Sequence, residues 1–439
     1  MFQFLLTITL LLSFIIFLIA VYKGKLFHPL NFIFLFWIVP VFLASLRLSY
    51  FQTREWCTNT KITILFSLFF LYYVPLVICL LHPAKVRKQM NFKEDFYRRF
   101  RIEKIKIIAY GSALLYIFLY FCENYFLTQT FFPIFHGIDI HVLYTPILYL
   151  ITRDPVFSVL FLAFYYSTSK SKSQRITSLL MIFLVSLLPL VRVARYDSLL
   201  SIVAAFAIVY LIDYTNNRDK RKLVLYITLV AVLISASFAY IGQYRMSYFG
   251  KYKISYAQSI GYKYNPGPLE IFAIYYGNFP MSVENLDLFI RNFDESGISH
   301  TYFIYSLDFW FKGVVNLDNL FRKEWNFDDI YKSLIEYHVG GATVPTAFAR
   351  WYMDLGPFAA VTPFLVLCLA LWYYFEANKK PEYYLLYIAA MVGFTFISFT
   401  DWITITMTFE NIILCYLLIP VVKKSPLKNE NSLESGDKE

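Results

Sequence analysis

Long apolar runs recur from one end of this 439-residue chain to the other, and they constrain its fold more than any other feature. A run of about 18 or more apolar residues is long enough to cross a bilayer as a helix. Hydrocarbon offers no water to exposed backbone groups, and the runs are too continuous for barrel strands, so helices are the structure they allow. Because 58% of the residues are hydrophobic and only 16% are charged, we predict an all-α polytopic membrane protein.

About eleven spanning helices are predicted from these runs, with approximate boundaries. They lie at 2–22, 29–47, 62–82, 106–127, 150–168, 177–193, 197–213, 223–241, 357–375, 383–399 and 404–422. The first run lacks a cationic start and a small-residue cleavage site. We therefore expect it to be a retained helix rather than a signal peptide.

Basic loops predict the orientation of these helices. Lys and Arg cluster near 23–25, 85–104, 170–175, 218–222 and 379–380. Short loops rich in Lys and Arg face the cytoplasm. Alternation through eleven helices places all of these loops inside, with the N-terminus outside and the C-terminus inside. The net charge of +10 is thus accounted for by orientation signals, and we predict no nucleic-acid partner.

The predicted spans divide the chain unequally. Residues 1–241 hold helices one to eight, and residues 357–422 hold the last three. Between them, residues 242–356 are too polar to span and are predicted to form one external, partly helical cap. A loop of this length is uncommon unless it is functional. Residues 423–439 are predicted to be a disordered cytoplasmic tail.

Two arginines lie on the face where positive charge is not expected. Arg192 and Arg195 stand between the apolar runs 177–191 and 197–212, at the outer mouth of the hairpin. Snorkelling from helix ends is one explanation. A bound anion is the other, because a guanidinium presents a rigid donor fork that matches phosphate and pyrophosphate. Arg245 follows the eighth predicted helix on the same face, and three such arginines favour an external anionic ligand.

Further candidates lie in the predicted cap. His338 occurs in a Gly-rich turn near the membrane surface, and its ordinary pKa suits proton transfer near neutrality. Arg350 and Asp354 are four residues apart, which favours an ion pair on one helical face. Ser282 is predicted to cap a short helix with Glu284 in its first turn. Capping suffices to explain that stretch, although a sugar-binding carboxylate or amide there stays possible.

No motif for a metal, a cofactor or a nucleotide occurs in the sequence. The five cysteines lack CxxC spacing. The chain contains no P-loop, no G-x-G-x-x-G, no H-E-x-x-H and no G-x-S-x-G. We therefore predict neither a metal site nor a cofactor.

Several short motifs resemble those of the oligosaccharide repeat-unit polymerases, the Wzy-type group that includes O-antigen, common-antigen and capsule polymerases. Shared architecture covers nearly the whole chain, with about eleven helices and one large external loop before the last three. The sharper similarities are the hairpin Val191–Leu200, the post-helix stretch Gln243–Arg245, the ENL stretch Glu284–Leu286, the turn His338–Thr346 and the helix entry Tyr352–Gly356. Arg195 stands at the family's matching arginine, whereas Arg192 has no clear counterpart.

This resemblance implies a GT-C-like polymerase/ligase architecture and a glycosyltransferase in the inner membrane of a bacterium. Its substrate would be an oligosaccharide carried on undecaprenyl pyrophosphate, joined by metal-independent transfer on the periplasmic or outer-leaflet side. His338, Arg195 and Arg245 are the expected catalytic residues. The expected substrate-binding residues are Arg192, Glu284, Asn285, Arg350 and Tyr352. Membrane lipid, a chain-length regulator and a flippase of the same pathway are the expected partners.

Two alternatives stay open from the sequence. An O-antigen-ligase-like transferase would share the fold and chemistry but pass the glycan to another acceptor. A flippase of lipid-linked sugars would also use external arginines. It should carry polar residues deep in several helices, for which Glu123 and Glu410 are the few candidates.

Overall fold

The computed structural model of the protein describes most of the chain. The described residues are 1–81, 99–133, 155–192, 195–213, 256–264, 270–303, 345–377, 379–400, 403 and 406–424. They form helices, and within these ranges strand-like pairing is limited to two isolated bridges. The predicted all-α class is therefore confirmed for the described part of the chain.

Among the described residues, seven helices precede the predicted cap. They are α1 (Phe2–Tyr22), α2 (Pro29–Ser45), α3 (Thr58–Leu81), α4 (Ile102–Thr128), α5 (Val156–Thr168), α6 (Lys172–Val191) and α7 (Arg195–Asp213). Seven more follow, of which the first four lie within 242–356. They are α8 (Tyr256–Ser259), α9 (Glu270–Asn278), α10 (Pro280–Ser296), α11 (Phe348–Leu355), α12 (Val361–Ala377), α13 (Tyr383–Phe396) and α14 (Thr406–Val422).

Within the described ranges, four helices, α1, α3, α4 and α6, are long and apolar enough to cross a membrane, and a bent pair at 348–377 would make a fifth. Shorter apolar helices, α2, α5, α7, α13 and α14, coincide with other predicted spans. The predicted span 223–241 lies outside the described residues. These helices support a membrane protein, and the full count of eleven stays a prediction.

Prolines shape two of the apolar helices. In α2 the turn Phe34–Ile38 is π-helical and precedes Pro40, and in α3 the π-helical turn Phe69–Tyr73 precedes Pro75. Proline has no N–H and its ring clashes with the carbonyl four residues back, so a widened turn relieves the clash. Trp37 in the first π turn donates from Nε1 to Ser67 Oγ at 2.7 Å. The two irregular turns therefore lie side by side.

One end of the bundle collects the segments of the predicted cap, and we call it the cap end. The backbone N–H of Lys263 donates to the Leu48 carbonyl at 2.9 Å, joining α8 to the loop after α2. The N–H of Ala347 donates to the Ile397 carbonyl at 3.2 Å, joining the start of α11 to the end of α13. At the other end, the N–H of Arg101 donates to the Val422 carbonyl at 2.8 Å, which joins α4 to α14.

The approach to α12 is sharply bent. The stretch Tyr352–Gly356, which we interpreted as a helix entry, does not lead straight into α12, because α11 and α12 meet at 103°. Gly356 ends α11 with φ 57° and ψ −136°, a backbone conformation that only glycine adopts without strain. The turn therefore lays α11 across the bundle end instead of continuing the helix.

Gly356→Ala is expected to lower the free energy of unfolding by about 2–3 kcal/mol. An added Cβ would lie 2.8 Å from His300 Nε2, and that ring is held between Phe293 and Tyr352. Gly297→Ala is the matched control, because φ is 70° there but nothing lies within 4 Å of the new methyl group. The control should cost about 1 kcal/mol. Thermal unfolding in detergent measures both, and equal losses would contradict the predicted clash.

Candidate functional site

The structure describes some of the predicted site residues in full, some by their backbone, and others not at all. His338 and Arg245 lie outside the described residues. Arg192 ends a 3₁₀ turn at the end of α6, and Arg195 is the first residue of α7, but their side chains are not among those described. The remaining predicted residues, Glu284, Asn285, Arg350 and Tyr352, lie on α10 and α11.

The arginine hairpin opens at the cap end. Tyr196 follows Arg195 on α7, and its hydroxyl donates to Asn278 Oδ1 at 2.9 Å. The same ring stacks on Phe399, with 4.6 Å between ring centroids. Asn278 is the last residue of α9 and directly precedes the α10 region. The start of α7 is therefore attached to the end of α9, and Phe279 alone separates that end from the helix that carries Glu284.

Helix α10 begins earlier than predicted, and the predicted role of Ser282 as its N-cap residue was wrong. Pro280 occupies the first turn, where its missing N–H costs nothing. Ser282 therefore lies inside the helix, and its hydroxyl donates to the Asn278 carbonyl at 2.8 Å. Glu284 is consequently past the first turn. At the other end Gly297 adopts the left-handed conformation that closes many helices.

Glu284 is a buried carboxyl group in the second turn of this helix. It is 5% exposed, and its Oε2 accepts a hydrogen bond from Trp56 Nε1. Burial raises the pKa of Glu284 to about 7, opposed by the Trp56 hydrogen bond. The nearby Asp287 raises this pKa further, whereas Arg47 and Arg291 lower it. The group therefore exchanges its proton near neutral pH.

Asp287, one turn beyond Glu284, attaches α10 to the start of α3. Its Oδ1 accepts from the backbone N–H of Cys57 at 2.7 Å, which places a carboxylate at the N-terminus of α3. Arg291 donates from Nε to Asp287 Oδ2 at 2.7 Å and from Nη2 to the Glu55 carbonyl. These hydrogen bonds attach α10 to the loop between α2 and α3.

Tyr352 and Arg350 lie on α11. The Tyr352 hydroxyl donates to Asp294 Oδ1 at 2.9 Å, and Asn59 donates from Nδ2 to the other oxygen at 2.8 Å. Tyr352 is fully buried and Arg350 is half-buried. Tyr352 therefore links α11 to α10 in this structure, and a contact with substrate stays a prediction for both residues.

Asp354 anchors the segment that follows α10. Its Oδ1 accepts from the Thr301 hydroxyl, and its carbonyl accepts from the Tyr302 N–H at 3.0 Å. Tyr302 and Phe303 both have positive φ, which is uncommon outside glycine. The predicted ion pair of Asp354 with Arg350 stays a prediction, and the structure adds Thr301 as a partner that the sequence did not indicate.

Sequence reasoning missed Trp56, Asp287 and Asp294. Glu284 and Asp287 are three residues apart, so their shared helical face was a detectable signal. Trp56 gave no signal, because it lies 228 residues from Glu284. Within the described ranges, no group of three or more His, Cys, Asp and Glu side chains could hold a metal ion.

Glu284→Gln is expected to remove a pH dependence of stability. A folded-state pKa of about 7, above the ordinary value of 4.5, means that the folded protein holds this proton more tightly. The resulting stability is fully present below pH 4.5 and is lost as the pH rises through 7. The loss amounts to roughly 2–3 kcal/mol.

Unfolding midpoints measured from about pH 5 to about pH 8 test this. The wild-type midpoint should fall with rising pH, and that of Glu284→Gln should change less. Glu295→Gln is the control, because this carboxyl group is exposed on the same helix. A Glu284→Gln variant with the wild-type slope would contradict the assignment.

No protein-family model, curated protein or solved structure matches this chain. The family resemblance therefore rests on the short motifs and the predicted architecture.

Proposed function

We propose that the protein polymerises oligosaccharide repeat units carried on undecaprenyl pyrophosphate, by metal-independent glycosyl transfer. The observation that carries the proposal is the contact between Tyr196 and Asn278. This contact joins the helix that begins at Arg195 to Asn278, two residues before the start of the helix that carries Glu284 and Asn285. Two segments with separate motif similarities thus meet at one end of the bundle.

The proposed topology puts this cap end on the outer side of the bacterial inner membrane. Basic loops near 23–25 and 379–380 then face the cytoplasm. Contacts of the described helix ends support this, because α4 and α14 meet at the end away from the cap. About eleven spans, with the N-terminus outside, satisfy both the charge pattern and these contacts.

In the proposed reaction, a sugar hydroxyl of one repeat unit attacks C1 of the growing chain. The new C1–O bond forms as the bond from C1 to the pyrophosphate oxygen breaks. His338 takes the hydroxyl proton as general base. Undecaprenyl pyrophosphate leaves with the electron pair, and Arg195 and Arg245, with Arg192 nearby, stabilise its developing charge. Glu284, Asn285, Arg350 and Tyr352 complete the proposed substrate-binding set.

A strain lacking the gene tests the proposal. Surface glycan that carries single repeat units, restored to long chains by the wild-type protein, is the expected result. Free lipid-linked polymer would instead support a ligase that transfers the glycan to another acceptor. A build-up of lipid-linked units facing the cytoplasm would support a flippase. Either of these results would overturn the polymerase assignment.

A further inference from the structure

At the cap end, residues 47–52 and residues 260–264 are joined by hydrogen bonds. We call these two segments together the clasp. The Ser49 hydroxyl donates to the Ile260 carbonyl at 2.6 Å, and the Tyr50 N–H donates to the Gly261 carbonyl at 2.8 Å. Gln52 is buried, accepts from the Tyr276 hydroxyl at 2.5 Å and donates to the Ala44 carbonyl at 3.1 Å. The clasp is therefore a fixed surface rather than a loose loop.

The outer surface of the clasp is aromatic. Tyr50 is 66% exposed and Tyr264 is 62% exposed. Phe51 lies exposed over Gly261, where an added Cβ would meet its ring at 2.8 Å. The ring of Tyr262 lies within 6.3 Å of both Tyr264 and Phe272, centroid to centroid. Exposed Tyr and Phe rings just beyond an apolar helix are typical of the interface between membrane and water.

Two cations accompany these rings. Lys263 is exposed, donates from Nζ to the Arg47 carbonyl at 2.6 Å and lies 6.0 Å from the Tyr50 ring centroid. Arg47 is half-buried. Among the described residues, neither side chain has a carboxylate within ion-pair distance. Residues 46–53 and 256–264 contain no Asp or Glu. The clasp thus presents two cations to an anion, of which Arg47 also lowers the pKa of the buried Glu284, and it presents no carboxylate.

We propose that the clasp binds the phosphate of an anionic phospholipid headgroup. Arg47 and Lys263 contact the phosphate oxygens, and Tyr50, Phe51, Tyr264 and Phe272 contact the adjoining glycerol and acyl chains. Position supports a lipid, because α2 ends at Ser45, two residues before Arg47. The positive charge of Arg47 and Lys263 supports an anionic lipid, because basic residues at a membrane surface attract anionic lipids. The binding holds the cap against the bilayer and does not rest on the proposed glycosyl transfer.

Lipid titration of the purified full-length protein tests the site. Phosphatidylglycerol in neutral detergent should raise the unfolding midpoint, and phosphatidylcholine should raise it less. Arg47→Asn removes one cation, and asparagine tolerates the left-handed backbone of this position, where φ is 51°. Lys263→Gln removes the other cation. Each variant should weaken the apparent phosphatidylglycerol affinity about 5-fold, and the pair roughly 30-fold. Arg54→Gln, exposed on the same loop outside the clasp, should change it less.

A second measurement needs no variant. Raising NaCl from about 50 to about 500 mM should weaken the wild-type response to phosphatidylglycerol, because exposed charges are screened. Wild-type affinity in the double variant, or equal stabilisation by both lipids, would overturn the proposal. Displacement of phosphatidylglycerol by inorganic pyrophosphate would also overturn it, since the occupant would then be a water-soluble phosphate.

Discussion

Replacing His338 by alanine is expected to reduce polymer formation about 10²–10⁴-fold, which is the usual contribution of a positioned general base. The proposed attack needs a group to accept the sugar hydroxyl proton, and His338 is the candidate with an ordinary pKa near neutrality. Chain length of the surface glycan, in strains matched for membrane-inserted protein, gives the first measurement. Turnover of lipid-linked units by the purified protein gives the second.

His300→Gln is the matched control for this prediction. His300 also lies in the predicted cap, but its ring stacks 5.2 Å from the Phe293 ring and meets the Tyr352 ring at 5.6 Å. These contacts give it a packing role, so the variant should lose stability and keep most of its activity per folded molecule. If His338→Ala retained long chains while His300→Gln lost them, the base would be assigned to the wrong histidine.

Helix positions followed from the sequence because they depend on local composition. The predicted spans at 2–22, 106–127 and 197–213 correspond to α1, α4 and α7 with shifts of a few residues. Apolar runs and their flanking charges are contained in consecutive residues, so no knowledge of packing was needed. The error at Ser282 was also local, because Pro280 in the first turn starts the helix three residues earlier than an N-cap at Ser282 would.

Contacts of the candidate site did not follow from the sequence because their partners are distant in the chain. Trp56 donates to Glu284, and Asn59 donates to Asp294 across 235 residues. Which loop the cap helix meets depends on how α2, α3 and α10 pack, and residue spacing carries no signal for that packing. The raised pKa of Glu284 is a consequence of this burial, so it too was invisible in the sequence.

The surroundings of Arg195 were predictable from the sequence only in part. The apolar runs predicted that Arg195 stands just before a span at 197–213, and α7 begins at Arg195, two residues earlier than that span. The hydrogen bond from Tyr196 to Asn278 then adds what the pattern lacked, namely which cap helix lies beside it. Arg195 is consequently the predicted catalytic residue whose backbone surroundings are best defined.

Arg195→Ala is expected to reduce polymer formation about 10²–10³-fold, as removal of a preorganised donor to a developing anion does. Arg195→Lys keeps the charge but loses the planar donor fork, so it should recover only part of the rate. Turnover of lipid-linked units by purified protein measures all variants, at equal folded amounts.

Arg54→Gln is the control for loss of charge, because Arg54 is exposed on the loop between α2 and α3. The loss in Arg195→Ala should appear in the rate at saturating substrate, since the leaving pyrophosphate gains charge only as its bond to C1 breaks. A variant with the wild-type saturating rate and only a raised KM would assign Arg195 to ground-state binding of the lipid-linked substrate. Unchanged kinetics would leave the arginine as an interfacial anchor of α7 and remove the support that the hairpin gives to the polymerase proposal.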